Sequence, residues 1–326
     1  MTDVTILGAG VAGLWAARSC LLRGIRPRLL DRTGAAGRHS CSWWAGGMLA
    51  PECEGATAEP PVMRHGRLAA SLWQGVTNVY KRGTLVLAPD RDRAELGRFA
   101  ARTSGHTVCD AAAIASLEPD LEGCHKRGLF FEGEAHLDPR QALTDLADSL
   151  EASGVRVEIA DLHPRDITGL IIDCRGLAAA ESLDGLRGVR GEMIILQTDE
   201  VTLNRPVRLL HPRHPLYVVP RAGGLFMLGA TQIESEARGP ITTRSALELL
   251  SAAYALDPRF AEAAIVETGA DLRPAFSDNV PRVVRRGQVL HLNGLFRHGY
   301  LMAPALAEQA AEFLLTGVRG DLFHED

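Results

Sequence analysis

The sequence predicts an α/β protein with a parallel sheet near its N-terminus and a second, α+β domain built on an antiparallel sheet. Residues 4–31 have the pattern of a strand, a glycine loop, a helix and a returning strand. Residues 139–174 add a helix and two apolar strands, which extend the same parallel sheet. From Gly188 onward the pattern changes to short strands that follow one another, which is typical of an antiparallel sheet.

The N-terminal unit has the features of a dinucleotide site. Gly8, Gly10 and Gly13 follow an apolar run and open a helix, and Asp31 ends the second strand. Gly8 permits a tight turn, Gly10 lets the backbone approach a pyrophosphate, and Gly13 lets helix and strand pack closely. The helix N-terminus offers free N–H groups to phosphate, and Asp31 is placed to accept hydrogen bonds from the adenosine ribose. The alternative, glycines that serve packing alone, is disfavoured because strand, helix and acid are all present.

The other elements follow from periodicity and capping residues. Asp138 and Pro139 start a helix that ends before Gly154, and the C-terminal helix is expected to begin at Pro304, after a loop over residues 293–303. The predicted helices cover residues 14–23, 67–80, 139–153, 242–256 and 304–315, with residues 52–66 as a surface connection; the predicted strands cover residues 4–7, 27–31, 84–88, 155–160, 170–174, 192–197, 217–220, 225–228 and 289–292. Residues 38–51 fit neither period and predict a loop pressed against something flat or a short helix entering a site. The first domain is expected to comprise residues 1–80, 138–187 and 285–326, and the second residues 81–137 and 188–284.

Composition narrows the class of protein. The 326 residues are 46% hydrophobic and 23% charged, as in an ordinary soluble enzyme, and the net charge of −5 without a basic stripe argues against nucleic-acid binding. No stretch approaches the roughly 18 apolar residues of a membrane span, so a cytoplasmic protein without a membrane partner is expected. The six cysteines are widely spaced and show no zinc pattern. His211 and His214, which flank a proline, predict a turn rather than a metal site, and no metal is expected.

Four segments together resemble the D-amino-acid oxidase family of FAD-dependent oxidoreductases, and within it the glycine oxidases of thiamine biosynthesis. The more specific segments are A-G-G-M-L-A-P at residues 45–51 and F-R-H-G-Y-L-M-A-P at residues 296–304. The glycine loop and residues 217–231 complete the resemblance, together with D-L-R-P at residues 271–274. In order and spacing these segments span most of the chain.

The resemblance implies a Rossmann-like FAD-binding domain and an oxidase that converts glycine to iminoacetate and glyoxylate, with ammonia and H₂O₂ as further products. O₂ would be the electron acceptor, and the imine would pass to a thiazole synthase. Noncovalent FAD is implied because Trp44 stands where related enzymes with covalent flavin have a histidine, and no cysteine follows Cys174. The family also suggests a homo-oligomer.

The resemblance assigns four residues to the reaction. Arg273 matches an arginine that clamps the substrate carboxylate, Tyr217 a tyrosine that hydrogen-bonds it, Met48 a pocket residue and Arg297 an arginine near substrate and flavin. The alternatives are an interface salt bridge for Arg273, packing for Tyr217 and Met48, and a surface position for Arg297. The residues expected to contact FAD are Gly8, Gly10, Val11, Ala12, Gly13, Asp31, Arg32, Ser40, Ser42, Trp43, Ala45, Gly46, Gly47, Met48, Val157, Cys174, Gly176, Arg273, Gly294, Arg297, His298, Gly299, Tyr300 and Leu301. The last three offer backbone N–H groups, whereas the side chain of His298 is assigned no chemical role.

The sequence departs from the family pattern in places. Asn279 stands where members often have glycine, which asparagine can replace in a left-handed conformation, and Val284 suggests a different local strand. Residues 55–105 are shorter than is usual. Three rivals therefore stay open: a sarcosine or D-amino-acid dehydrogenase with another electron acceptor, a flavin-bearing module that modifies RNA, and a nonenzymatic FAD-binding protein.

Overall fold

The computed structural model describes residues 3–211 and 215–325, where the chain forms two large β-sheets, one short two-stranded sheet and the helices that cover them. The strands are β1 (Asp3–Leu7), β2 (Arg26–Asp31), β3 (Met48–Leu49), β4 (Thr84–Leu87), β5 (Thr107–Asp110), β6 (Arg127–Phe131), β7 (Ala135–His136), β8 (Val157–Ile159), β9 (Leu170–Asp173), β10 (Arg187–Gln197), β11 (Val207–Leu209), β12 (Leu216–Arg221), β13 (Leu225–Gly229), β14 (Ala264–Ala275), β15 (Arg282–Arg286), β16 (Val289–Asn293) and β17 (Phe323–Glu325). The α-helices are α1 (Val11–Leu22), α2 (Pro51–Glu54), α3 (Pro60–Gly66), α4 (Ala69–Gln74), α5 (Ala94–Arg102), α6 (Ala111–Leu117), α7 (Pro139–Ala152), α8 (Thr243–Leu256) and α9 (Gly299–Thr316). His214 of the predicted turn lies outside the described residues.

The first sheet has seven strands in the order β17-β15-β16-β9-β1-β2-β8. Its centre is parallel, because β1 pairs with both β2 and β9 in the same direction. Helices α1 and α9 pack against each other beside it, where the buried side chains of Ala16, Ala17 and Ala307 let the two backbones approach closely. The predicted parallel α/β sheet is therefore confirmed.

The second sheet has eight strands in the order β14-β10-β13-β12-β11-β4-β6-β5, and all neighbours are antiparallel except β11 and β4. Strand β14 runs along β10 for most of its twelve residues. Helix α8 covers this sheet with Leu249, Ala252 and Leu256. The predicted antiparallel sheet is confirmed, and β15, which begins at Arg282, belongs to the first sheet although the predicted boundary at residue 285 divides it.

Three predicted elements were wrong. Residues 67–80 do not form one helix, since α4 spans Ala69–Gln74 only, and the predicted surface connection at residues 52–66 contains most of α2 and all of α3. Helix α9 begins at Gly299 and not at Pro304, which lies inside it. Within residues 38–51, Cys41–Trp44 form a short 3₁₀ helix, which agrees with the second of the two alternatives for that segment.

The departures from the family pattern have simple conformations. Asn279 adopts a left-handed φ of 59°, as its side chain permits. Val284 is buried in β15 opposite His291.

All six cysteines have free thiols. Among the described residues, no helix is both long and apolar enough to cross a membrane.

Candidate active site

A cavity of about 830 Å³ lies between the two sheets. It extends from the glycine loop at Gly8, past residues 40–48, to the N-terminus of α9, and Tyr217 and Arg273 line its opposite wall. The carboxyl ends of β1 and β2 therefore meet the face of the antiparallel sheet across one space, which is where ligands bind in open α/β sheets.

The glycine loop leaves no room for side chains. Gly8 has a φ of +94°, and a Cβ atom there would lie 2.6 Å from the carbonyl oxygen of Cys174. A Cβ atom on Gly13 would lie 1.8 Å from the carbonyl oxygen of Gly8. These contacts bring the N-terminus of α1 against the ends of β1 and β9, so that the backbone itself forms one end of the cavity. Such a surface fits a pyrophosphate.

Asp31 ties the glycine loop to the end of β2. Its Oδ2 accepts a hydrogen bond from the Ala9 N–H at 2.9 Å, and its Oδ1 accepts from the N–H and the hydroxyl of Thr33, each at 2.8 Å. Asp31 and Arg32 both line the cavity. A carboxylate oxygen accepts more than one hydrogen bond, so these contacts are compatible with the predicted ribose contact.

Two serines join the 3₁₀ helix to α1. The Ser42 hydroxyl accepts a hydrogen bond from the Val11 N–H at 3.1 Å, and the Ser40 hydroxyl accepts from the Ser42 N–H at 3.3 Å. Packing holds the two tryptophans that follow. Arg140 lies over the Trp43 ring, and the Trp44 ring packs against the backbone of Gly269, where a Cβ atom would lie 2.1 Å from the ring. The segment is thereby fixed along the middle of the cavity.

Glycines also surround Tyr217 and Arg273. A Cβ atom on Gly46 or Gly229 would lie 2.8 or 2.7 Å from the Tyr217 ring, and one on Gly191 would lie 2.1 Å from the Arg273 guanidinium. Arg273 Nη1 donates a hydrogen bond to the carbonyl oxygen of Thr231 at 3.0 Å. Both side chains therefore have fixed positions.

The Arg273 guanidinium has no carboxylate within salt-bridge distance among residues 3–211 and 215–325. Burial lowers its pKa and Tyr217 raises it, whereas the charge of Arg297 lowers it further. Burial also raises the pKa of Tyr217, so its hydroxyl carries a proton at neutral pH. A partly buried cation that faces a cavity without an anionic partner is suited to bind an anion from solution.

Arg297 has a partner that the sequence did not predict. Its Nη2 lies 2.6 Å from Glu54 Oε2, and Arg208 Nη1 lies 3.3 Å from Glu54 Oε1. Burial raises the pKa of Glu54, but the charges of Arg297 and Arg208 and the hydrogen bond from Arg297 outweigh burial and lower it to about 2. Glu54 is therefore ionised and pairs with Arg297, whose side chain is 29% exposed at the edge of the cavity.

The N-terminus of α9 closes the other end of the cavity. The first intrahelical bond is donated by the Met302 N–H to the carbonyl oxygen of His298 at 2.8 Å, so the N–H groups of Gly299, Tyr300 and Leu301 precede it. All three residues line the cavity. The helix boundary at Gly299 thus places these groups in the first turn, where N–H donors and the helix dipole favour negative charge. Burial lowers the pKa of His298 to about 4, so its ring is neutral.

The structure brings most of the predicted site residues together. Those that line the cavity are Gly8, Gly10, Val11, Ala12, Asp31, Arg32, Ser40, Ser42, Ala45, Gly46, Gly47, Met48, Cys174, Gly176, Tyr217, Arg273, Arg297, His298, Gly299, Tyr300 and Leu301. Four do not line it: Gly13 and Trp43 pack behind it, Val157 pairs with Leu29 in the first sheet, and Gly294 packs against Phe276.

Sequence reasoning missed Glu54 and Arg208. Glu54 lies in a segment rich in proline and acids, which predicted a surface connection, and Arg208 lies in a three-residue strand that no pattern indicated. In the described part of the chain, no three His, Cys, Asp or Glu side chains are grouped so as to hold a metal ion.

A cavity with a glycine loop at one end and a helix N-terminus at the other is typical of a flavin-dependent oxidoreductase. Residues 3–313 match the family model DAO, described as FAD dependent oxidoreductase. The chain belongs to this family and is an FAD-dependent oxidoreductase. The Gly8 and Gly13 contacts, which exclude side chains, and the first-turn N–H groups of α9 fit that cofactor.

Two relatives and one solved structure are similar to the chain. It is 54% identical over 316 residues to a Rhizobium etli protein named for an oxidoreductase role in thiamine biosynthesis (ThiO), with 96% of each chain covered. It is 27% identical to a glycine oxidase of Pseudomonas aeruginosa, covering 95% of this chain and 94% of that one. The crystal structure of glycine oxidase from Geobacillus kaustophilus has the same fold, with a TM-score of 0.81 at 19% identity over 99% of this chain and 97% of that one.

Proposed function

We propose that this enzyme is a glycine oxidase. Glycine, O₂ and water would give glyoxylate, ammonia and H₂O₂, with iminoacetate as the first product. The observation that carries the proposal is the Arg273 guanidinium, which lies in the cavity beside Tyr217 and lacks a carboxylate partner in the described part of the chain.

Arg273 and Tyr217 would bind the substrate carboxylate. The guanidinium donates two parallel hydrogen bonds to a carboxylate, and the protonated Tyr217 hydroxyl adds a third. With the carboxylate held at these donors, the Cα–H bond of a small amino acid has one orientation in the cavity. Met48 borders the same space and limits the size of the substrate side chain.

The N-termini of α1 and α9 would hold the cofactor at its two ends. The glycine loop at Gly10 and the carboxylate of Asp31 would bind the pyrophosphate and the ribose, and the N–H groups of Gly299 and Leu301 would bind the ring system. Bound FAD supplies the acceptor for two electrons.

We propose that the FAD is noncovalent, because Trp44 stands at the position of the histidine attachment site and the last cysteine is Cys174. Acid or heat denaturation should therefore release all flavin into the supernatant. Flavin that stays with the precipitated polypeptide after washing would contradict this.

We also propose a place in thiamine biosynthesis, supported by the name of the 54% identical relative. The imine product would be passed to a thiazole synthase before it hydrolyses. A homo-oligomer and a cytoplasmic location remain part of the same proposal. Addition of a thiazole synthase should lower the yield of free glyoxylate, and an unchanged yield would count against the transfer.

The decisive test is the anaerobic reduction of the bound flavin, followed by its absorbance. Glycine should bleach it, and sarcosine and D-alanine should do so more slowly. If none of the three bleaches the flavin, the proposal fails. H₂O₂ formation under air then separates an oxidase from a dehydrogenase, since bleaching without peroxide would favour another electron acceptor.

A further inference from the structure

Glu54 lies between two arginines on the wall of the substrate cavity. Its Oε2 accepts hydrogen bonds from Arg297 Nη2 at 2.6 Å and Nε at 2.9 Å, and its Oε1 lies 3.3 Å from Arg208 Nη1. Only 15% of the Glu54 side chain is exposed. One carboxylate thus occupies the facing sides of two guanidinium groups.

Around Tyr217, three arginines are close to one carboxylate. Arg208, Arg273 and Arg297 line this part of the cavity, and Glu54 pairs with two of them, while the ring of His298 is neutral. One substrate carboxylate on Arg273 would still leave the group positive. A second acid group on the substrate would be attracted to Arg208 and Arg297 if their facing sides were free.

We propose that Glu54 is a specificity-determining residue whose carboxylate occupies the position that a second acid group of a substrate would take. The enzyme consequently accepts amines with one carboxylate and discriminates against N-carboxymethyl amines and other diacids. This inference rests on the proposed function only in that the first carboxylate of the ligand lies on Arg273.

The surroundings of Glu54 keep it in this position. Glu54 ends α2, and its partner Arg208 lies over the Phe99 ring and opposite Tyr217 in the β11–β12 pair. Arg297 also reaches the Thr57 hydroxyl at 3.4 Å. A diacid would have to place a second carboxylate beside an ionised one or displace it from two cations, and like charges at contact distance repel strongly in a cavity of low dielectric.

The test compares ligands that bind without being oxidised. The wild-type holoenzyme is titrated with acetate, malonate and succinate, and binding is followed by the change in flavin absorbance. We expect neither diacid to bind wild type more than about threefold tighter than acetate. A diacid that binds wild type about tenfold tighter than acetate would overturn the proposal.

Glu54→Gln removes the built-in charge and keeps the side-chain size. The preference for the better diacid over acetate should rise about tenfold relative to wild type, which corresponds to about 1.4 kcal/mol. The matched control is Glu52→Gln on the same helix, because Glu52 pairs with Arg67 outside the main cavity and should leave the preference unchanged. An unchanged preference in Glu54→Gln contradicts the proposal.

A second variant covers the case in which Glu54→Gln does not fold. Glu54→Gln with Arg208→Gln removes one charge of each sign and still frees Arg297. It should prefer a diacid over acetate by several-fold relative to wild type, and an unchanged preference contradicts the proposal. The titrations require no turnover, so a failure of glycine to reduce the flavin would refute the proposed function without deciding the role of Glu54.

Discussion

The indole Nε1 of Trp73 donates a hydrogen bond to the carbonyl oxygen of Tyr300 at 2.7 Å. Tyr300 lies in the first turn of α9, four residues before Pro304. Because proline has no N–H group, the carbonyl oxygen of Tyr300 lacks its usual intrahelical donor, and Trp73 supplies the replacement. The two rings also stack, with centroids 5.4 Å apart. Trp73 thus supports the helix N-terminus that closes the cavity.

Trp73→Phe should therefore destabilise the protein by more than a change in volume alone. The variant leaves a buried carbonyl group unpaired, which costs about 1–3 kcal/mol beyond the loss of packing. Trp15→Phe is the matched control, since Trp15 is equally buried and its Nε1 has no hydrogen-bond partner within the described residues. The free energies of unfolding, measured in urea, should differ by about that amount, and equal losses would contradict the assignment.

Pro304→Ala tests whether the Trp73 indole replaces the N–H group that proline lacks. It restores an N–H group that can reach the Tyr300 carbonyl oxygen, so it should recover about 1 kcal/mol in the Trp73→Phe background. In the wild-type background, where Trp73 already satisfies that oxygen, the gain from the restored donor should be smaller. A double-mutant cycle without coupling would show that the indole does not replace the missing donor.

The same pair explains why sequence reasoning misplaced the start of α9. Proline is common in the first turn of a helix and costly inside one, so Pro304 predicted a helix start. The cost is offset by a side chain 227 residues away, which no local pattern reveals. By contrast, the β1–α1–β2 unit was predicted correctly, because its glycines and its apolar strand determine the structure of residues that are close to them in the sequence.

The candidate site also contains residues that the sequence predicts and residues that only tertiary contacts reveal. The sequence pattern and the resemblance placed Tyr217, Arg273 and the N–H groups after His298 in one cavity. The burial of Glu54 depends on Arg208 and Arg297, which are 154 and 243 residues away in the chain. An acid in a segment rich in proline, alanine and acids predicts a surface position, and only tertiary contacts reverse that prediction.

Arg273→Lys should weaken substrate binding although the charge is kept. Lysine cannot form two parallel hydrogen bonds with a carboxylate, so KM for glycine and Kd for acetate should rise by a factor of about 10 to 100. Arg190→Lys is the control. Arg190 is a buried arginine with its own partner Glu192 and does not line the cavity.

The control variant should lose stability and keep both binding constants. If Arg273→Lys leaves KM and the Kd for acetate unchanged, Arg273 does not bind the carboxylate. Equal changes in both variants would indicate a general structural effect instead.

Gly13→Ala should prevent FAD binding or folding. The added Cβ atom would lie 1.8 Å from the carbonyl oxygen of Gly8, a backbone contact that no side-chain movement relieves. Gly97→Ala in α5 is the control, because no atom outside the flanking residues and the helix's own backbone lies within 4 Å of the added methyl group. It should stabilise the protein by about 0.5–1 kcal/mol. Flavin absorbance per polypeptide and thermal unfolding check both, and a Gly13→Ala protein with full flavin content would refute the close contact.

Glu134 should make the protein less stable as the pH rises. Burial raises its pKa to about 7, against the opposing effects of Thr84 and the Cys53 N–H, and its Oε2 has no hydrogen-bond partner among the described residues. The folded state then holds a proton that the unfolded state loses near pH 4.5, so stability falls as the pH rises from about 4.5 through 7 and levels off above.

Glu134→Gln keeps an oxygen that can accept the Cys53 N–H and removes the titration. Between pH 4.5 and 8 the wild type should lose about 3 kcal/mol more of its unfolding free energy than the variant does. Glu132→Gln, an exposed position two residues away, is the control and should follow the wild-type profile. Urea unfolding at several pH values measures all three proteins. Parallel profiles for Glu134→Gln and wild type would show that Glu134 is ionised in the folded protein, with a partner for its second oxygen.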